Sequence, residues 1–210
     1  MARIQDRHPA GAPGPWFVDD RCIDCDAARH VAPGLIERNP GDGVSYFVRQ
    51  PATPEEVEMA WRAVEVCPTR SVGHVELRRP GKPAFPQDLG DGVFRLGHNS
   101  RDSFGAHSYL VVRDGVNLMV DSPRWTRDVV EPVSSLGGID VVLLTHRDDV
   151  ADADRYAEHF GAQVRLEPRP RRPGVPRPPR GARRPHGRPR LTARRRPAAP
   201  SQRRLRTGSG

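Results

Sequence analysis

Behind Thr53-Pro54-Glu55-Glu56 the apolar residues Val57, Ala60, Trp61 and Val64 recur every three or four positions. That period predicts an amphipathic helix from about Pro54 to Val66. Its start carries a hydroxyl N-cap, a proline at the first helical position and a glutamate two places on, which form a capping box. Its end is set near Cys67-Pro68, because proline cannot continue a helix. Other apolar runs nearby are short. Trp16-Phe17-Val18, residues 45–49 (SYFVR) and residues 71–77 (SVGHVEL) predict strands, and Cys22 to Ala28 predicts a compact turn or short helix. Phe47 and Trp61 are the candidate core residues of this part.

Further along, the pattern changes to strands alternating with helices. Val93 to Leu96, Ser108 to Val112 and Val116 to Val120 predict strands, the last two joined at Arg113-Asp114-Gly115 by a hairpin with the Asp-Gly signal. Arg127 to Leu136 predicts a helix ended by Gly137-Gly138. Ile139 to Leu144 is a continuous apolar run, the mark of a buried central strand. It empties into Thr145-His146-Arg147-Asp148-Asp149. A helix from about Ala151 to Phe160, with Gly161 as its C-cap, and a strand from Ala162 to Leu166 complete the pattern. Between the two parts, residues 78–91 (RRPGKPAFPQDLGD) are rich in Pro and Gly and read as a linker. The expected organisation is a flexible lead over 1–14, a small domain over 15–77, the linker, a second domain over 92–166 and a tail over 167–210. The expected class is α+β.

Composition separates that tail from everything before it. Residues 168–210 hold fifteen arginines, ten prolines and no acid, so the formal charge of +8 belongs to the tail, and the remainder is acidic on balance. With no aromatic residue and only Val175, Leu191 and Leu205 as branched aliphatics, the tail cannot bury a core and is expected to be disordered. Two origins stay open. One is out-of-frame reading of a G+C-rich coding sequence, suggested by a chain whose one lysine is Lys82. The other is a basic arm that neutralises nucleic-acid phosphates. No stretch approaches the ~20 apolar residues that span a bilayer, and the N-terminus has no apolar signal region. Three cysteines cannot all pair, so a reducing cytoplasm is the expected setting.

Cys22-Ile23-Asp24-Cys25 is a C-x2-C pair, and Cys67 precedes Pro68. Two thiolates on one turn and a third from a remote Cys-Pro can hold an iron–sulfur cluster; a structural zinc half-site, a redox pair and ordinary thiols are the other readings of the spacing. The run Phe17-Val18-Asp19-Asp20-Arg21-Cys22-Ile23-Asp24-Cys25-Asp26, followed by Ala32-Pro33 and Cys67-Pro68-Thr69, resembles single-cluster ferredoxin domains across about Trp16 to Leu77. Such domains show C-x2-C-x2-C before the remote Cys-Pro, and here the third position is Ala28. The resemblance implies Cys22, Cys25 and Cys67 as cofactor ligands. It leaves open a 4Fe-4S cluster completed by water or by Asp24, Asp26 or His30, a 3Fe-4S cluster on three cysteines, a fold without cluster, and zinc.

The second part resembles metallo-β-lactamase-fold hydrolases. The resemblance rests on residues 105–112 (GAHSYLVV) as an early hairpin strand, Val120-Asp121-Ser122-Pro123 at a strand end, and Thr145-His146-Arg147-Asp148-Asp149 where that family has T-H-x-H-x-D-H. It implies the first half of an αββα sandwich, truncated at the tail. It further implies a metal site in which His146 is a ligand, Asp148 replaces the second histidine, and Val150 and Ala151 replace the next aspartate and histidine. Asp149 falls between positions as a shifted metal ligand or general base. One histidine and two carboxylates (His146, Asp148, Asp149) suit a divalent ion, Zn, Fe or Mn, with the harder ions favoured. The plainer reading makes Asp148 or Asp149 a helix cap. His98, His107, His159 and His186 read as surface or buried side chains rather than ligands.

Together these readings imply an iron–sulfur module fused to a metallo-hydrolase or oxidoreductase domain that is hydrolytically impaired. Its partners would be a redox protein and a small-molecule substrate. The alternatives are a non-enzymatic electron carrier and a nucleic-acid binder acting through the tail.

Overall fold

A computed structural model describes residues 1–76, 79, 81–148 and 150–166. They belong to one compact unit, Met1–Arg169, with two hydrophobic cores. The α+β class stands. Residues 167–210, read above as the basic tail, lie outside the described residues.

The first core is built from two antiparallel strand pairs and two helices. β1 (Trp16–Val18) pairs with β4 (Val72–His74), and β2 (Ile36–Arg38) pairs with β3 (Ser45–Phe47). α1 (Ala27–Val31) and α2 (Pro54–Val66) pack on them. Phe47, Leu35 and Ala60 are fully buried, and Trp61 meets Trp16 edge-on at 4.7 Å between ring centres. α2 has the expected bounds. Glu56 N donates to Thr53 Oγ1 at 3.3 Å, and the Glu56 carboxylate accepts from Ala52 N at 2.7 Å and from both terminal nitrogens of Arg49. The helix stops because Cys67 turns extended ahead of Pro68.

Two expectations about the flanks are corrected. The lead over 1–14 is tied down by polar contacts. His8 is buried, stacks on Tyr46 and lies 2.9 Å from an Asp42 carboxylate oxygen. Ala12 N donates to Phe47 O at 2.8 Å, and Ala12 O accepts from Gln50 Nε2. The expected linker is also engaged. Ala84 and Phe85 are buried in the first core, and Ala84 N donates to both oxygens of Glu65. Gln87–Asp88 forms β5, the end strand of the large sheet. Apolar periodicity misses both segments because single buried rings and hydrogen bonds hold them.

The second core lies under a six-stranded mixed sheet, order β10-β9-β8-β7-β6-β5. Its further strands are β6 (Val93–Arg95), β7 (Tyr109–Arg113), β8 (Val116–Val120), β9 (Val141–Leu144) and β10 (Gln163–Leu166). β5 to β8 run antiparallel to their neighbours, and β8, β9 and β10 run parallel. Asp114 and Gly115, at φ 53° and 74°, form the two-residue hairpin turn between β7 and β8. α3 (Arg127–Ser135) and α4 (Ala153–Phe160) place Val133 and Tyr156 against Leu110, Met119 and Val142. The N-cap of α4 is Asp152, so Asp148 does not cap it. Asp149 lies outside the described residues.

Replacing Thr53 with alanine removes the N-cap acceptor of α2. The expected cost is about 1 kcal/mol, read as a lower urea midpoint at unchanged m-value.

Candidate functional site

Three elements bring the cysteines together. Cys22 lies in the loop after β1, Cys25 just before α1, and Cys67 at the end of α2, and all three line one small cavity with Ala28 and Asp26. Cys67 is buried and the other two partly so. Backbone amides point at two of the sulfurs: Ser71 N donates to Cys67 Sγ at 3.3 Å and Ser45 N to Cys22 Sγ at 3.4 Å. The hydroxyls of Ser71 and Thr69 lie 3.3 and 3.5 Å from Cys67 Sγ. Burial pushes the Cys25 thiol up, the Ala27 amide opposes this, and the neighbouring Cys67 and Cys22 push it further up. Three sulfurs with N–H donors aimed at them form a donor set that a cationic iron–sulfur core can satisfy. The residues present thus offer such a group three sulfur ligands, around a cavity with about 10 Å³ of free volume.

The remaining corner is a methyl group. Ala28 lines the same cavity where the ferredoxin pattern has a cysteine. Of the three non-cysteine candidates, Asp24 and His30 are directed elsewhere. The Asp24 carboxylate is held by Arg38 at 2.7 Å and Arg29 at 2.9 Å. His30 Nδ1 lies 3.1 Å from His107 Nε2, in a separate pocket that Cys25 and Gly105 also line. Asp26 does border the cysteine cavity, with its carboxylate 2.7 Å from Arg29 Nε.

Two contacts that sequence patterns do not signal fix this arrangement. Asp19 is fully buried and accepts from Arg3 N at 2.9 Å, Arg21 N at 3.1 Å and Arg21 Nη2 at 2.6 Å. Arg21 Nη2 also donates to Arg70 O at 3.0 Å, tying the Cys22 loop to the turn after Cys67. From the sheet half, Gly105 covers Cys25. Its φ is +80°, and a Cβ there would stand 2.8 Å from Cys25 Sγ, so the position admits only glycine.

The histidine–aspartate group lies elsewhere, at the end of β9. His146 and Asp148 are largely exposed, with His146 Nδ1 3.7 Å from Asp148 Oδ2 and accepting from Asp148 N at 3.3 Å. Asp149, the candidate base and third ligand, lies outside the described residues. Among the described residues no group of three or more His, Cys, Asp or Glu side chains is arranged to hold a metal ion. Asp121 does order this loop: its carboxylate accepts from Thr145 N at 2.8 Å and Thr145 Oγ1 at 2.7 Å. His159 packs on Trp125. His98 and His107 are more perturbed than isolated histidines should be, both pushed down to about 4, chiefly by burial. His186 lies outside the described residues.

Against known proteins, residues 18–74 match the family described as the 4Fe-4S single cluster domain of ferredoxin I. The small module is thus similar in sequence to a ferredoxin-type iron–sulfur domain. No curated protein matches the chain. Among solved structures, a metallo-beta-lactamase with an HARLDQ motif from Cronobacter sakazakii (Enterobacter sakazakii) is similar at 19% identity over 61% of this chain, with a TM-score of 0.31. That superposition is too loose to define a shared fold, and the chain spans only 39% of that structure.

The buried histidines set a pH dependence. His98 titrates near 4 when folded and near 6.5 when unfolded. The unfolded state therefore takes up the proton first as pH falls. The stabilisation is complete above about 6.5 and is lost between there and about 4. Urea midpoints should drop from about pH 7.5 to about pH 5, with His98 contributing on the order of 2 kcal/mol. His98→Gln should flatten the slope, whereas an equally steep slope in that variant would contradict the assignment.

Proposed function

We propose that Cys22, Cys25 and Cys67 hold an iron–sulfur cluster, 3Fe-4S or 4Fe-4S with one non-cysteine position, and that the module relays single electrons to or from a redox partner protein. The observation that carries this reading is the convergence of three thiols from three elements on one cavity whose remaining corner is Ala28. When bound, the cluster supplies a reversible one-electron change. The chain supplies the setting. Ser45 N and Ser71 N donate to the Cys22 and Cys67 sulfurs. Arg21, held by Asp19, places a positive charge in the field of Cys67. The Gly105 loop packs against Cys25. A chain with three free cysteines suits a reducing, cytoplasmic setting.

For residues 92–166 we propose a metallo-β-lactamase-like half-domain of hydrolytically impaired type, acting with the cluster module on a small molecule rather than as a hydrolase alone. The support lies in the residues at the motif: Asp148, Val150 and Ala151 stand where the hydrolase pattern has His, Asp and His. A divalent ion on His146, Asp148 and Asp149 belongs to the same proposal. Thioester turnover by metal-loaded protein would refute the impaired reading.

Voltammetry of the anaerobically reconstituted full chain tests the electron-carrier role. A reversible couple is expected in the parent protein, with loss in Cys25→Ser and Cys67→Ser. Ala28→Cys, which supplies the fourth thiolate, should shift the couple and raise the iron retained per chain. A parent protein with no couple, or one indifferent to Cys67→Ser, would remove the proposal.

A further inference from the structure

A second cavity, of about 260 Å³, opens where the small module meets the sheet half. Trp61, Val64 and Arg70 line it from one side of that junction, and His98, Arg124 and Thr126 from the other. The cluster reading makes no use of it, and two buried polar atoms in its wall have no hydrogen-bond partner. His98 is only 7% exposed, and its Nε2 is buried without a hydrogen bond. Thr126 Oγ1 is likewise buried and unpartnered, although Thr126 is the N-cap of α3. The positive end of that nine-residue helix therefore stands at the cavity wall.

Two guanidinium groups reinforce the same sign of potential. Arg124 makes a long Nε bond to His98 O at 3.4 Å. Burial and the nearby Arg70 hold its pKa down, opposed by the Cys67 and Tyr156 side chains. Two like charges, one of them largely buried, cost free energy unless an anion joins them. Of the acids at the cavity, Glu65 is occupied by Ala84 N and lies 3.7 Å from Arg79. Asp128 adds one negative charge to the wall, which disfavours polyanions and leaves room for a ligand with a single charged group. The indole of Trp61 and the side chain of Val64 supply an apolar surface beside it.

We propose that this cavity binds a small organic oxyanion, its charged group held by Arg70, Arg124, His98 Nε2 and Thr126 Oγ1 and its apolar part lying on Trp61 and Val64. The recognised chemistry is that of a carboxylate or a phosphate monoester. Arginine forks match either group bidentately, and the unpartnered hydroxyl and imidazole complete the donor set.

Calorimetric titration of the full chain at fixed ionic strength tests this, with phenyl phosphate, benzoate and inorganic phosphate as probes. Saturable binding of an aromatic probe is expected, tighter than inorganic phosphate and accompanied by a change in tryptophan fluorescence. Arg70→Gln and Arg124→Gln should each weaken it by roughly tenfold or more. Arg70 is exposed, so its variant keeps the test valid if Arg124→Gln disturbs folding. Arg171→Gln with Arg172→Gln controls for binding to the arginine-rich segment and should leave the affinity unchanged. Preference for phenyl phosphate over benzoate assigns phosphate monoesters, and the reverse assigns carboxylates. No saturable binding up to about 10 mM, or an affinity that both Arg70→Gln and Arg124→Gln leave within about twofold, overturns the proposal.

Discussion

The arrangement depends on one buried carboxylate. Asp19 has no exposure and would cost several kcal/mol if left unpaired. It is satisfied by the Arg21 guanidinium and by two backbone amides, and Arg21 in turn donates to Arg70 O. That link joins the loop bearing Cys22 to the turn bearing Cys67, residues 45 positions apart in the chain. The antiparallel pairing of β1 with β4 runs directly into it, since Asp19 N donates to Ser71 O at 2.8 Å. Convergence of the sulfurs is thus a consequence of strand pairing locked by a charge that cannot be left alone.

The two halves of the described chain are coupled beyond their connecting segment. Phe85 lies in the first core, Gly105 closes on Cys25, and His30 meets His107. In the His30–His107–Asn99 chain, Asn99 Nδ2 donates to Gly105 O at 2.7 Å and lies 3.2 Å from His107 Nδ1. The loop over Cys25 is therefore braced by both halves.

Much of this was legible in the sequence where a strong local rule applied. The capping box and period around Thr53 gave α2 its correct bounds, Asp114-Gly115 gave the hairpin, and the cysteine spacing picked out three thiols that border one cavity. The illegible parts rest on long-range polar contacts or single buried side chains. His8 with Asp42, Asp19 with Arg21, and Phe85 among prolines have no period to read. β2, missed entirely, has only Ile36 buried, so it shows no alternation. Of the proposed fourth ligands, Asp24 looked free because its arginine partners, Arg29 and Arg38, approach only after folding. The cavity of His98 and Arg124 was hidden because it exists only at the junction of two halves that composition had separated by a linker.

On the proposed reading three thiolates, and three alone, hold inorganic iron. Iron and acid-labile sulfide counted per chain after anaerobic reconstitution, together with iron X-ray absorption to count sulfur neighbours, test it most directly. Cluster-level iron and sulfide are expected in the parent protein, with a fall to background in Cys67→Ser. Colourless parent protein without iron, or iron retained undiminished in Cys67→Ser, would contradict it.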